Sequence, residues 1–228
     1  MSWLTRTFTS SVGKKFLAGL TGLGMFLFLI AHVSGNMTLF MKTKVGQDPA
    51  FNAYAKKLHD LPGFALAEAL ILLAFAAHVV LVIWLSYTNR LARGEQRYAE
   101  VRSKQDPQNQ LALFASKTTL LGGVIILVFL VVHMADFRMA RFMDGNLITQ
   151  AKVVTALQVP WRAFLYAIAS LLVGWHLFHG IQSGFRSLGM RHPRYMTYIQ
   201  KFGVIAAVLI GALFASMPIA IFVGFITK

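Results

Sequence analysis

The sequence predicts an all-α integral membrane protein with five transmembrane helices, and three observations predict it. Of 228 residues, 57% are apolar and 13% are charged, with a mean hydropathy of +0.61, whereas a soluble domain is about a quarter charged. The apolar residues gather into five runs, each long enough to cross a hydrocarbon core of about 30 Å, which takes roughly 20 helical residues. Charge or proline fences every run. The chain has no cysteine, which excludes a disulfide framework, thiolate-bound zinc and any iron–sulfur cluster held by its own thiolates.

The first run, Phe16–Phe40, stands behind Lys14 and Lys15. It is too long for a signal-peptide core and no soluble domain follows it, so it is expected to be retained as a span. Pro49–Asp60 alternates apolar and basic residues as a short interfacial helix would, with Phe51 and Tyr54 at headgroup level. The second run, Gly63–Tyr87, opens after Pro62, and the polar stretch Gln96–Gln110 reads as the most solvated connection. Lys117–Phe137 is the third run. Leu147–Val159 is a second candidate interfacial helix, and Trp161–Arg186, behind Pro160, is the fourth run. Phe202–Ile226 is the fifth, between Lys201 and Lys228. With no repeat or low-complexity tract, residues 1–228 read as a single membrane domain.

Lys and Arg number 22 against 8 Asp and Glu, a formal charge of +14. In a soluble protein that excess would suggest nucleic acid, but cytoplasmic connections of membrane proteins also collect Lys and Arg. Thirteen of the basic residues fall in the N-terminal segment and the second-to-third and fourth-to-fifth connections, leaving nine for the other side. Five spans then put the N-terminus in the cytoplasm and the C-terminus outside.

His32, His78, His133 and His176 lie inside spans, one per helix. Each stands sixteen residues after the residue that opens its span or the proline just before it: Phe16, Pro62, Lys117 and Pro160. That is about 24 Å of helix. Spans one and three run outward and spans two and four inward. His32 and His133 therefore share an outer depth, and His78 and His176 a cytoplasmic one, roughly 15–20 Å away before tilt.

Two imidazoles on facing helices at one depth are what six-coordinate haem b requires, with the apolar macrocycle filling the bundle. The first four helices are thus expected to form a dihaem bundle. Gly19, Gly22, Gly24, Gly35, Gly122, Gly123, Gly174, Gly180 and Gly184 are expected to line the faces that meet the flat rings. A lone intramembrane His is often only a hydrogen-bonding residue. Four of them, matched in depth on four helices, point to ligands. One zinc ion, with bonds of roughly 2 Å, cannot gather all four. His179, one turn beyond His176, is the alternative fourth ligand, while His59 and His192 lie in connections.

The segments GLGMFLFLIAHVSGN, LAFAAHVVLVIW, LVFLVVHMADF and WHLFHGIQSGFRSLGM carry these histidines. They resemble the single-chain, five-helix dihaem cytochrome b anchors of succinate:quinone oxidoreductase, respiratory complex II, and the resemblance covers essentially the whole chain. It implies two b haems, an inner one held by His78 and His176 and an outer one held by His32 and His133. In that family the fourth ligand stands four residues before a glycine that opens a G-x8-G stretch. Gly180 and Gly189 supply those glycines, which selects His176 over His179. The resemblance also implies a flavoprotein that oxidises succinate and an iron–sulfur subunit that carries its electrons to the membrane. This chain would anchor both in a bacterial cytoplasmic membrane, link the tricarboxylic acid cycle to electron transport, and reduce a quinone. Two-haem members commonly use menaquinone. Succinate dehydrogenase and fumarate reductase share this architecture, and the whole complex can assemble further. Some fumarate-reducing members carry a carboxylate two residues before the fourth ligand, where this chain has Gly174.

A quinone pocket needs an apolar slot and polar groups to handle protons at the carbonyls. Glu68 reads as the only carboxylate deep in an apolar run, with Asn36, Tyr54, His59 and Asp60 at a similar outer level, and an outer quinone site is expected there. The alternative for Glu68 is a pair with Lys or Arg, or a place facing water at the helix entrance. An inner site, between Ser10–Lys15 and Trp84 or Arg186, stays open. Haem propionates need cationic or hydroxyl partners, for which Lys14, Lys15, Ser116, Lys117 and Arg186 are candidates; as ordinary residues they would be snorkelling anchors. Two other readings remain. One is the cytochrome b of a hydrogenase or formate dehydrogenase, whose ligands tend to cluster two on one helix. The other is a transporter relaying protons through His, which predicts more carboxylates inside the spans. The basic cytoplasmic face reads as a docking surface for soluble subunits and acidic lipid headgroups, with no call for nucleic acid.

Overall fold

The computed structural model describes residues 9–42, 46–93 and 110–227, and every element among them is helical. Five helices are long and apolar enough to cross a membrane. They are α1 (Ser11–Asn36), α3 (Phe64–Arg93), α4 (Gln110–His133), α7 (Pro160–Ser187) and α8 (Pro193–Phe222). Three shorter helices, α2 (Ala50–His59), α5 (Ala140–Asp144) and α6 (Gln150–Leu157), lie in the connections. Thus both segments read as interfacial are helical. Of the polar connection Gln96–Gln110, all but Gln110 lies outside the described residues.

Helix ends follow backbone chemistry rather than the apolar runs. Ser10 caps α1, its Oγ accepting from the Gly13 N–H at 3.0 Å, so the helix opens five residues ahead of Phe16. A Lys can snorkel without ending a helix, and α4 is accordingly already helical at Gln110, the first described residue there, ahead of Lys117. The expected fifth span, Phe202–Ile226, is displaced for the same reason. It starts at Pro193, where a first-turn proline loses no hydrogen bond, behind His192, whose Nδ1 accepts from the Arg194 N–H at 3.2 Å. It stops at Phe222, before Gly224 turns the chain at φ +78°.

Packing gives the bundle an order. α7 packs on α8, α4 and α1, while α1 also packs on α3, so four helices follow one another as α3–α1–α7–α4. Glycine sets the tightest approaches. A Cβ on Gly174 would meet the Ala207 carbonyl oxygen at 2.9 Å and the Gly211 Cα at 3.1 Å, and one on Gly19 would stand 3.0 Å from the Gly184 carbonyl oxygen. Small residues let helix backbones meet where no water is present to drive association. A mid-bundle cluster of Phe26, Leu177, Ile181, Ala207 and Ile210 joins α1, α7 and α8. A second, around Val33, Phe51, Val154, Tyr166 and Ile221, seals the end where α2 and α6 lie. By contrast Leu85 is the one buried apolar residue of α3 among the described residues, and Leu66, Leu70, Leu73, Val80 and Ile83 are exposed. Such a face suits lipid.

Candidate functional site

The four span histidines fall into two pairs, each across a diagonal of the α3–α1–α7–α4 order. His32 on α1 meets His133, the last residue of α4, with ring centres 5.9 Å apart and planes at 89°. An imidazole–metal bond is about 2 Å, so two rings sharing one metal ion stand roughly 6 Å centre to centre. The pair sits among aromatic rings. Phe28 stacks on His32 at 5.2 Å and Phe214 lies at 5.7 Å. Phe129, Phe137 and Tyr166 surround His133 at 5.4–5.9 Å. On the other diagonal, His78 of α3 lies near enough to act electrostatically on His176 of α7.

Each ring nitrogen has its own circumstance. His78 Nδ1 donates to the Ala18 carbonyl at 3.0 Å, with the Thr21 hydroxyl at 3.4 Å. A proton fixed on Nδ1 leaves the Nε2 lone pair available, the tautomer a metal-ligating imidazole needs. The Nδ1 atoms of His133 and His176 are buried without a hydrogen-bond partner, a costly state for a polar atom. The Thr119 carbonyl approaches His176, and Trp175 beside it donates from Nε1 to the Thr118 hydroxyl at 2.9 Å, tying α7 to α4. His179 is half-buried one turn on, next to His176 and Arg186.

The nine glycines divide by role. A Cβ on Gly22 would stand 2.9 Å from His78 Cε1, and one on Gly123 would stand 3.3 Å from His176 Cε1. Gly24, Gly122 and Gly180 have nothing within 4 Å of that position, although Gly122 is buried. The remaining four correct the sequence expectation. Gly19, Gly174 and Gly184 serve contact between α7 and its neighbours, and Gly35 lies under the Tyr54 ring. At Gly174 α8 leaves no room for a side chain.

The quinone candidates do not form one pocket. Glu68 accepts from Arg138 at 3.2 Å and Arg141 at 3.5 Å, and Arg141 also reaches His59 Nδ1 at 3.0 Å. Asp60 faces a separate shallow cleft with Asp48, Lys56 and Lys57. Tyr54 lies against Gly35, one turn beyond His32, and Asn36 is the next residue along the chain. Glu68 is also not the most buried carboxylate among the described residues. Asp136, in a π-helical turn (Met134–Met139), is 8% exposed against 24% for Glu68. It accepts from the Tyr166 hydroxyl at 2.9 Å and pairs with Arg162 at 3.1 Å. The sequence held one signal for it, a carboxylate three residues after His133. Of the propionate candidates, Lys14 lies 4.7 Å over the Trp84 ring, Arg186 is half-buried in the last turn of α7, and Lys15, Ser116 and Lys117 are exposed.

Comparison with family models, curated proteins and solved structures finds no match to this chain.

Proposed function

We propose that the chain is the membrane-anchor cytochrome b of a succinate:quinone oxidoreductase, of the succinate dehydrogenase or fumarate reductase kind. It would hold two b haems and pass electrons between an iron–sulfur partner and a membrane quinone, with menaquinone expected. One observation carries the reading: four intramembrane histidines on four helices, paired across the two diagonals of the bundle. The His32–His133 spacing, the preset His78 tautomer and the glycines facing His78 and His176 fit imidazole ligation at both levels.

In this reading His78 and His176 hold the inner haem and His32 and His133 the outer. Held by these imidazoles, each haem would supply one-electron transfer. The residues of this chain do the rest. Ala18 orients His78 through its carbonyl. Phe28, Phe129, Phe137 and Phe214 keep water from the outer pair. Tyr166, Asp136 and Arg162 form a polar chain from the His133 ring toward the helix end, suited to holding protons near that level. The quinone belongs near Asn36 and Tyr54 at the same end, since Glu68 and His59 are engaged by Arg141. Dicarboxylate chemistry stays in the flavoprotein partner, docked on the basic cytoplasmic face.

The test is to purify the full chain from its native membrane in mild detergent with whatever binds it. A flavoprotein and an iron–sulfur subunit should accompany it, and succinate should reduce its b-type band. A haem-free preparation overturns the reading, and haem accompanied by hydrogenase or formate dehydrogenase subunits overturns the choice of complex.

A further inference from the structure

We propose that the cleft that α5 and the start of α6 form with the end of α2 binds the phosphodiester headgroup of an anionic phospholipid. The cleft has a volume of about 890 Å³ and is lined by His59, Arg138, Arg141, Phe142, Leu147 and Lys152, among others. Among the described lining residues the charge is cationic. Arg138 and Arg141 share the single carboxylate of Glu68. Each guanidinium carries five N–H donors, more than Glu68 and His59 occupy. A planar fork of that kind matches two oxygens of a phosphate.

Position commits the site to lipid. Arg138 and Arg141 follow directly on the apolar run that ends at Phe137, at the depth where a span meets headgroups. Phe142, in the cleft lining, and Met143 next to it are 78% and 77% exposed. A cationic floor with bare apolar residues at its rim suits a molecule with an anionic head and acyl chains. A free phosphate would use only the floor. The proposal does not depend on haem.

The purified full chain in detergent is titrated with short-chain phosphatidylglycerol, with phosphatidylcholine of the same chain length, and with inorganic phosphate, bound lipid being counted by native mass spectrometry. Phosphatidylglycerol should bind, more weakly as salt rises, and phosphatidylcholine should not. Lys152→Gln, which leaves the Glu68 pairs intact, and Arg138→Gln, which leaves Glu68 with Arg141, should each weaken it about fivefold. Lys56→Gln, outside the cleft, should not. Equal binding of the two lipids, displacement of phosphatidylglycerol by an equal concentration of inorganic phosphate, or unchanged binding in both cleft variants would each overturn the proposal.

Discussion

Two glycines sit against imidazole rings, and in an apolar bundle that contact decides where the ring can turn. A Cβ at Gly22 would stand 2.9 Å from His78 Cε1, so Gly22→Val should displace the ring from the Ala18 carbonyl. The expected cost is about 1–3 kcal/mol, the usual range for overpacking, together with loss of only the haem proposed at His78 and His176. Gly24→Ala, where nothing lies within 4 Å, should change stability by less than about 0.5 kcal/mol. Thermal unfolding in detergent with haem counting separates the two. Asp136→Asn removes the charge that faces Arg162 and weakens the Tyr166 bond. With Arg162 one-third exposed, a loss of about 1–3 kcal/mol is expected in the same melts, whereas Arg138→Gln, leaving Glu68 with Arg141, should cost below about 1 kcal/mol. The histidines were legible in the sequence because each interrupts an apolar run at a matched depth. Asp136 was not, because its partners Arg162 and Tyr166 lie on another helix, and only folding shows that the carboxylate is buried.

At the scale of elements, α7 holds the bundle together by meeting α1, α4 and α8. Its approach to α8 is backbone on backbone at Gly174 and Gly211, so no flexible side chain can yield. Gly174→Leu should therefore pry α8 away, with a loss above the approximately 1–3 kcal/mol of ordinary overpacking, read as a lowered melting temperature and earlier proteolysis of the α7–α8 connection. The end cap is a set of hydrogen bonds. The Gln150 N–H donates to Asn52 Oδ1 at 2.8 Å, and Gln150 Nε2 donates to the Thr227 carbonyl at 3.0 Å. Asn52→Ala should cost about 1 kcal/mol and speed amide exchange at the start of α6. The spans were legible from hydropathy, and α2 and α6 from alternating polarity. The helix ends were not, because Ser10, His192 and Pro193 govern them locally. The π-helical turn after His133 was also hidden. It directs Asp136 to Tyr166 and Arg138 to Glu68 from one short segment, and π turns recur at functional sites.

For the whole molecule, the central relation is between helix order and histidine depth. Neighbours in the order α3–α1–α7–α4 share packing, and diagonals share histidines, so each imidazole pair ties together helices that do not follow one another in the packing. The depth match was readable from a sixteen-residue spacing, but the diagonal pairing requires the helix order, which hydropathy does not encode. The measurement that tests the central claim most directly is the reduced-minus-oxidised visible spectrum, with haem counting, of the purified full chain and its single His→Ala variants. Two b haems per chain are predicted. His32→Ala and His133→Ala should lose the same one, His78→Ala and His176→Ala the other, and His179→Ala neither. A parent chain without a b-type band, or both haems retained in any of the four ligand variants, would contradict the account.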